Sequence, residues 1–253
     1  MMSDLYLYPI LFLAGLIAGT VDSIAGGGGL ITLPVILGLG IPPHAALGTN
    51  KFQSSFGSFT ASVHYVHKGG VDLRSGIRGI LFTLIGTVAG AWSVQQVDGS
   101  ILNNIIPVLL AAIVIYTFIK PDLGEVNQKP KMTENAFYFL FGLMFGFYDG
   151  FFGPGVGSFW AFAFVAFLGY NLQMATGYTK VMNFTSNIVS VVLFAIGGNI
   201  YFTAGIVMAA GQIIGARIGS GLVIKRGAKF VKPVFITIVV ITMVKLIYSS
   251  FFQ

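Results

Sequence analysis

The chain has 253 residues, 55% of them in the hydrophobic set AVILMFWYC, and its mean hydropathy is +0.86. Charged residues make up only 9%, whereas about 25% is usual in a soluble domain. Because a globular chain in water exposes much of its surface, this composition excludes an ordinary soluble enzyme, a secreted domain and a disordered chain. It indicates a polytopic membrane protein.

Cysteine content and charge narrow the function classes further. The chain has no Cys, which excludes disulfides, thiolate metal sites and Cys nucleophiles. Its formal net charge is +6 at pH 7, an excess that is typical of cytoplasmic loops in membrane proteins. No aromatic and basic signature of nucleic-acid binding accompanies it. We therefore expect the lipid bilayer, and not a nucleic acid, as a partner.

Ten apolar segments account for most of the chain. The longer ones can cross about 30 Å of hydrocarbon at 1.5 Å per residue, and the first lacks the basic region of a signal peptide. The segments are 5–21, 30–40, 45–66, 77–97, 101–119, 136–148, 157–169, 174–196, 203–224 and 233–252. They predict an all-α integral membrane protein.

Three blocks of residues recur in the same order in the two halves. With an offset of 127 positions, Gly15, Gly19, Asp22 and Gly26 reappear as Gly142, Gly146, Asp149 and Gly153. With an offset of 129, Gly48, Lys51, Gly69, Gly76, Gly86 and Gly90 reappear as Gly177, Lys180, Gly198, Gly205, Gly215 and Gly219. The sequence therefore predicts two repeats of about five segments each, at 1–119 and 136–253, joined by a cytoplasmic linker at 120–135.

Basic residues occupy opposite loops in the two repeats. They lie after the third segment of the first repeat, in the linker, and after the fourth segment of the second repeat. The equivalent loops of the opposite repeat carry no basic residue. The groups are Lys68, Arg74 and Arg78; Lys120, Lys129 and Lys131; and Lys225, Arg226, Lys229 and Lys232. Placing all three in the cytoplasm gives one consistent alternation, which predicts inverted repeats with both termini outside.

A glycine-rich break separates the first two segments of each repeat, at 22–29 and at 149–157. Because the flanking segments are short, we expect each pair to form a re-entrant helix–break–helix hairpin, with the two tips meeting near the midplane. Unwound backbone at that depth is tolerated where it is buried or lines a polar cavity. Free N–H groups and helix N-termini at such a break favour an anion.

Two lysines near the breaks complete the predicted anion site. A charge inside a membrane segment is costly and usually has a partner or a function. We expect Asp22 and Asp149 to neutralise the lysines when the site is empty, or to carry a coupling proton. The predicted substrate-binding residues are Gly26, Gly27, Gly28, Gly29, Thr49, Asn50, Lys51, Gln53, Gly153, Gly155, Gly157, Thr179, Lys180 and Asn183.

Structural roles for the same residues remain open at this point. The two Asp could cap the next helical turn, the glycine runs could serve packing alone, and the lysines could extend towards an interface. The polar residues Asn50, Gln53, Asn183 and Asn187 could bond across helices instead of lining a site. We expect the Gly-x-x-x-Gly pairs to be helix-packing contacts.

Other motifs resemble metal, nucleotide-binding or protease sites, but each lacks residues that the chemistry requires. His64-x-x-His67 lacks a nearby carboxylate for a metal, and no Gly-Lys-Ser/Thr follows either glycine run. Tyr148-Asp149 resembles half of an intramembrane aspartyl protease site, but Asp22 lacks the context of the other half. We therefore predict no catalytic residue, metal or cofactor, and a protein that is not an enzyme. Arg217 has no counterpart in the first repeat, and we assign it no role.

The stretches 22–34 and 42–53 resemble the TauE/SafE family of sulfite exporter-like membrane proteins, as do Gly153-Pro-Gly-Val-Gly157 and Thr179-Lys180-Val-Met-Asn183. The resemblance covers nearly the whole chain. It implies an inner-membrane transporter that exports sulfur-containing anions such as sulfite, organosulfonate or sulfoacetate. A passive anion channel and an importer coupled to a proton or cation are the alternatives. The partners expected on this interpretation are a small anionic substrate, the bilayer and a second copy of the chain in a homodimer.

Overall fold

In the computed structural model the described residues are 7–68, 70–106, 108 and 127–226, and they contain helices and no strand. The numbered helices are α1 (Leu7–Ala25), α2 (Gly29–Gly38), α3 (Pro43–His67), α4 (Leu73–Val94), α5 (Glu134–Phe137), α6 (Leu143–Phe151), α7 (Val156–Leu168), α8 (Leu172–Ile196) and α9 (Phe202–Arg226). Residues 99–106 are helical as well. A π-helical turn, Tyr138–Gly142, joins α5 to α6. The predicted segment 233–252 and most of 101–119 lie outside the described residues, as do Gly69, Lys120, Lys229 and Lys232.

Within the described ranges, four helices are long and apolar enough to cross a membrane, namely α1, α4, α8 and α9. The shorter apolar helices α2 and α7 follow the two breaks. Helix α3 has 25 residues, as α8 does, but it carries a buried polar face that lowers its hydropathy. These helices confirm the prediction of an all-α membrane protein.

Helices α4 and α8 begin before their apolar segments because their first turns are polar. Asn171 accepts a bond from the Met174 N–H at the start of α8, and Asp72 accepts one from the Arg74 N–H at the start of α4, each at 2.9 Å. Helix α1 runs to Ala25, and a continuous helix runs from α5 through the π turn to α6. We expected both helices of each hairpin to be short. This expectation is wrong for the helices that precede the breaks, and it is correct for α2 and α7, which follow them.

Glycines allow two pairs of helices to pack with their backbones in contact. In the pair α1–α9, a Cβ on Gly19 would lie 2.6 Å from the Gln212 carbonyl oxygen. In the pair α4–α6, a Cβ on Gly146 would lie 2.5 Å from the Thr83 carbonyl oxygen. The predicted packing role of the Gly-x-x-x-Gly pairs is confirmed. Each pair joins the first predicted segment of one half to the fourth predicted segment of the other.

Candidate functional site

The two glycine-rich breaks contact each other. Gly26 and Gly153 have φ values of +78° and +98°, a backbone region that L side chains rarely adopt. A Cβ on Gly26 would lie 2.6 Å from the carbonyl carbon of Gly157, and the Ser158 hydroxyl donates to the Ala25 carbonyl oxygen at 3.1 Å. The tips therefore have no room for side chains at their closest approach.

Each lysine is paired with the aspartate of the other half. Lys51 and Lys180 are both the ninth residue of a 25-residue helix, α3 and α8 respectively. Lys51 Nζ forms an ion pair with Asp149 Oδ1, and Lys180 Nζ lies 2.9 Å from Asp22 Oδ2. The aspartates lie in the last turns of α6 and α1, where the two breaks begin. Two buried cations and two carboxylates thus meet with a formal charge of zero.

Burial and hydrogen bonds test two structural roles for these residues, namely lysines that extend to an interface and aspartates that cap the next turn. Lys51 is 2% exposed and Lys180 is 0% exposed, so neither extends to an interface in this structure. Asp22 Oδ1 also accepts a hydrogen bond from the Gly28 N–H at 3.2 Å, so Asp22 caps the next turn and forms an ion pair at once. Asp149 Oδ2 accepts a hydrogen bond from the Ser186 hydroxyl.

A small polar cavity of about 30 Å³ lies between the breaks and the ion pairs. A water molecule needs roughly 10–15 Å³ of such volume, so the cavity holds about two waters and no sulfur oxyanion in this conformation. At the starts of α2 and α7, the Leu30 N–H donates to the Gly27 carbonyl oxygen and the Val156 N–H to that of Gly153. Gly29 and Gly157, in the first turns of the two helices, line the cavity. Its lining residues are Asp22, Gly27, Gly29, Asn50, Lys51, Ser54, Asp149, Gly153, Pro154, Gly155, Val156, Gly157, Asn183 and Asn187.

Several predicted site residues lie behind the cavity wall. Gly26 and Gly28 shape the first break, and Lys180 reaches the site through Asp22. Thr49 accepts a bond from the Tyr201 N–H at 2.8 Å, and the Thr179 hydroxyl donates to the Ala175 carbonyl at 2.8 Å.

Gln53 bonds to Asn50 and Thr32, so it orders the polar face of α3. The binding role of the whole predicted set stays a prediction.

Two serines at the site were not predicted from the sequence. Ser54 lines the cavity, and Ser186 bonds to Asp149. The 129-residue offset matches Ser54 with Asn183, so a complete comparison of the repeats would have indicated Ser54. Ser186 matches Gly57, and no repeated pattern points to it.

The side-chain oxygen of Asn183 is buried without a hydrogen-bond partner among the described residues. Because Asn183 lines the cavity, rotation of its amide would present two N–H donors to a bound anion. Asn187 lies one turn further along α8 and donates to the Ser58 hydroxyl at 3.2 Å. The Asn183 side chain therefore has hydrogen-bonding groups available for a ligand at this wall of the cavity.

The family described as "Sulfite exporter TauE/SafE" matches residues 11–246. The "Probable membrane transporter protein YfcA" of Escherichia coli (strain K12) is 41% identical over 244 residues, which are 96% of this chain and 91% of that protein. A "Probable membrane transporter protein" of Haemophilus influenzae (strain ATCC 51907 / DSM 11121 / KW20 / Rd) is 41% identical over 248 residues, 96% of each chain. No solved structure is significantly similar. The chain therefore belongs to the TauE/SafE family, and it is a multi-pass membrane transporter.

Proposed function

We propose that this transporter is a secondary transporter that moves small sulfur-containing anions, such as sulfite, organosulfonate or sulfoacetate, across the inner membrane by alternating access. The observation that carries the proposal is the pair of exchanged, buried Lys–Asp contacts beside two touching glycine breaks. The family's description, which names a sulfite exporter, supports the substrate class and the direction, and the relatives named as membrane transporters support transport. We take export as the principal direction.

In the proposed cycle, the anion replaces a carboxylate at Lys51 or Lys180 and accepts bonds from N–H groups at the N-termini of α2 and α7. The present cavity is too small for the substrate, so binding requires the two halves to separate locally. Each ion pair joins the halves, and breaking it therefore couples substrate binding to their relative movement. The exchange of helix pairs α1–α9 and α4–α6 supports two inverted repeats that rock about this site.

The charge balance of the site favours a proton-coupled importer as the second candidate. The four side chains sum to zero, so a bound monoanion would leave one uncompensated negative charge in a low-dielectric region. Protonation of Asp22 or Asp149 would remove that charge. Export without a proton would instead be driven by an inside-negative potential, at about 2.3 kcal/mol per 100 mV for each charge.

Orientation follows from the basic loops. Lys68, Arg74 and Arg78 lie where α3 ends and α4 begins, and Lys225 and Arg226 end α9. We propose that the α3–α4 connection, the end of α9 and the linker lysines face the cytoplasm, and that both termini of the chain face outward. The division into two repeats with a short linker and the possible homodimer belong to the same proposal.

The test is flux in proteoliposomes with sulfite, a sulfonate, sulfate and a carboxylate anion, under imposed voltage and pH gradients. The double variant Lys51→Met/Lys180→Met should lose saturable sulfite and sulfonate flux, because no buried cation remains to bind the anion. Lys225→Met is the matched control, since its side chain is exposed at the end of α9, and it should keep wild-type flux. Wild-type flux in the double variant would refute the site.

The gradients separate the candidate mechanisms. Flux driven by voltage alone supports export of the free anion, while flux driven by a pH gradient supports proton coupling. A passive channel would show flux that does not saturate and no counter-transport.

A further inference from the structure

Two concave surfaces adjoin on the outside of α3, and neither belongs to the ion-pair site. The first, the apolar groove, has a volume of about 470 Å³ and lies between α3, α4 and α8, where Val66, Leu84, Phe184 and Ile188 line it. The second, the basic recess, has a volume of about 400 Å³ and is lined by His64, His67, Lys68 and Arg217 among others. Phe59, Val63 and His67 belong to both surfaces, so a single ligand can occupy them together.

Arg217 is a cation at an unusual depth in a membrane helix. It precedes the last residue of α9 by nine positions, which is about 13.5 Å along the axis at 1.5 Å per residue. Ile213, Ile214 and Ile218 on the same face are exposed, which is typical of a surface in contact with lipid. A charge at such a position is costly unless an opposite charge compensates it. Within the described ranges, no carboxylate lies within ion-pair distance of Arg217.

The recess concentrates further positive charge beside Arg217. Lys68 follows the last turn of α3 and is exposed, and no acidic partner of Lys68 occurs in the described part of the chain. His64 Nδ1 lies 2.7 Å from the Ser220 hydroxyl and ties the end of α3 to α9. Extension of Arg217 towards water would account for that residue alone. It would not account for a second cation and an apolar groove at the same place.

We propose that these surfaces bind one anionic phospholipid, with its phosphate between Arg217 and Lys68 and an acyl chain in the apolar groove. The oxygens of one phosphate can contact both cations at once, and Arg binds phosphate with two parallel hydrogen bonds. The adjoining apolar groove selects an amphipathic ligand over a soluble anion. The Lys68 end of α3 carries the positive charge expected of the cytoplasmic side, where anionic lipids are enriched. This site is independent of the substrate and direction of transport.

The test is native mass spectrometry of the purified protein with phosphatidylglycerol and phosphatidylcholine that carry the same acyl chains. The wild-type protein should retain phosphatidylglycerol in preference to phosphatidylcholine. The variant Arg217→Gln/Lys68→Gln should bind phosphatidylglycerol about thirtyfold more weakly. The matched control Arg74→Gln/Arg78→Gln removes the same charge from the start of α4 without touching either surface, and should bind like the wild type.

A second variant tests the groove without changing charge. Val63→Trp places a large ring in the surface shared by the groove and the recess, and should also displace phosphatidylglycerol. It keeps the proposal testable if the charge variant does not fold, which far-UV circular dichroism would reveal.

Equal phosphatidylglycerol binding by the charge variant and its control would overturn the proposal. So would equal retention of the two lipids, or competition by glycerol phosphate at matched concentration. If the charge variant loses a dimer instead of a bound lipid, the surface binds a second copy of the chain, and the lipid proposal is overturned as well.

Discussion

Replacing Asp149 by Asn would leave Lys51 as a buried cation without its carboxylate. Both side chains are almost fully buried, at 2% and 3% exposure, so bulk solvent does not screen the uncompensated charge. Breaking a buried pair by removing one member costs about 3–5 kcal/mol. In a chain of this size, 1 kcal/mol corresponds to roughly 2–4 °C. We therefore expect Asp149→Asn to lower the Tm by about 6–20 °C.

The second pair provides a comparison within the same molecule. The Asp22 side chain is 23% exposed, and an Asn at this position keeps an oxygen that can accept from the Gly28 N–H. Partial access of water reduces the cost of the uncompensated Lys180. The loss in Asp22→Asn should therefore be clearly smaller than the loss in Asp149→Asn.

A double-mutant cycle separates the charge interaction from a loss of packing. Lys51→Met alone leaves a buried carboxylate, whereas Lys51→Met/Asp149→Asn leaves no charge, so the double variant should recover most of the stability. Thermal unfolding of all four proteins in one detergent at neutral pH measures the Tm of each. If the losses of the single variants simply add in the double variant, the pair is not coupled and the reasoning about the site is wrong.

Much of the fold and part of the site could be predicted because two copies of one pattern are present in the chain. The repeat indicated the breaks, the glycine-packed helices and the depth of the two lysines. These features depend on local sequence: glycine permits left-handed backbone at Gly26 and Gly153, and small residues permit close helices. The repeat does not indicate whether each lysine contacts the aspartate of its own half or that of the other half. The exchange of partners between Lys51 and Lys180 arises only when the halves pack together.

Helix ends and departures from symmetry could not be predicted for a different reason. An apolar window stops at the first charge, yet α1 continues past Asp22 because Lys180 compensates the carboxylate. At the position equivalent to Ser186 the first repeat has Gly57, where a Cβ would collide with the Gln212 side chain. Asp149 therefore has a hydroxyl donor that Asp22 lacks. The two carboxylates are thus inequivalent, and a search for repeated residues passes over the serine that makes them so.

Two further predictions concern single side chains at the site. Ser186→Ala removes a charge-assisted hydrogen bond to Asp149 and should cost about 1.5–3 kcal/mol. Ser190→Ala is its control on the same helix, because the buried Ser190 hydroxyl has no partner among the described residues and its removal should cost little. Equal Tm values for the two serine variants would contradict the assigned bond. Gly26→Ala should destabilise by at least about 1–3 kcal/mol from the left-handed backbone alone, and by more because its Cβ would lie 2.6 Å from the opposite break. Gly38→Ala meets no atom within 4 Å in a right-handed helix, so thermal unfolding should show no loss there. If Gly26→Ala unfolds at the temperature of Gly38→Ala, the breaks do not touch, and the anion site between them has no basis.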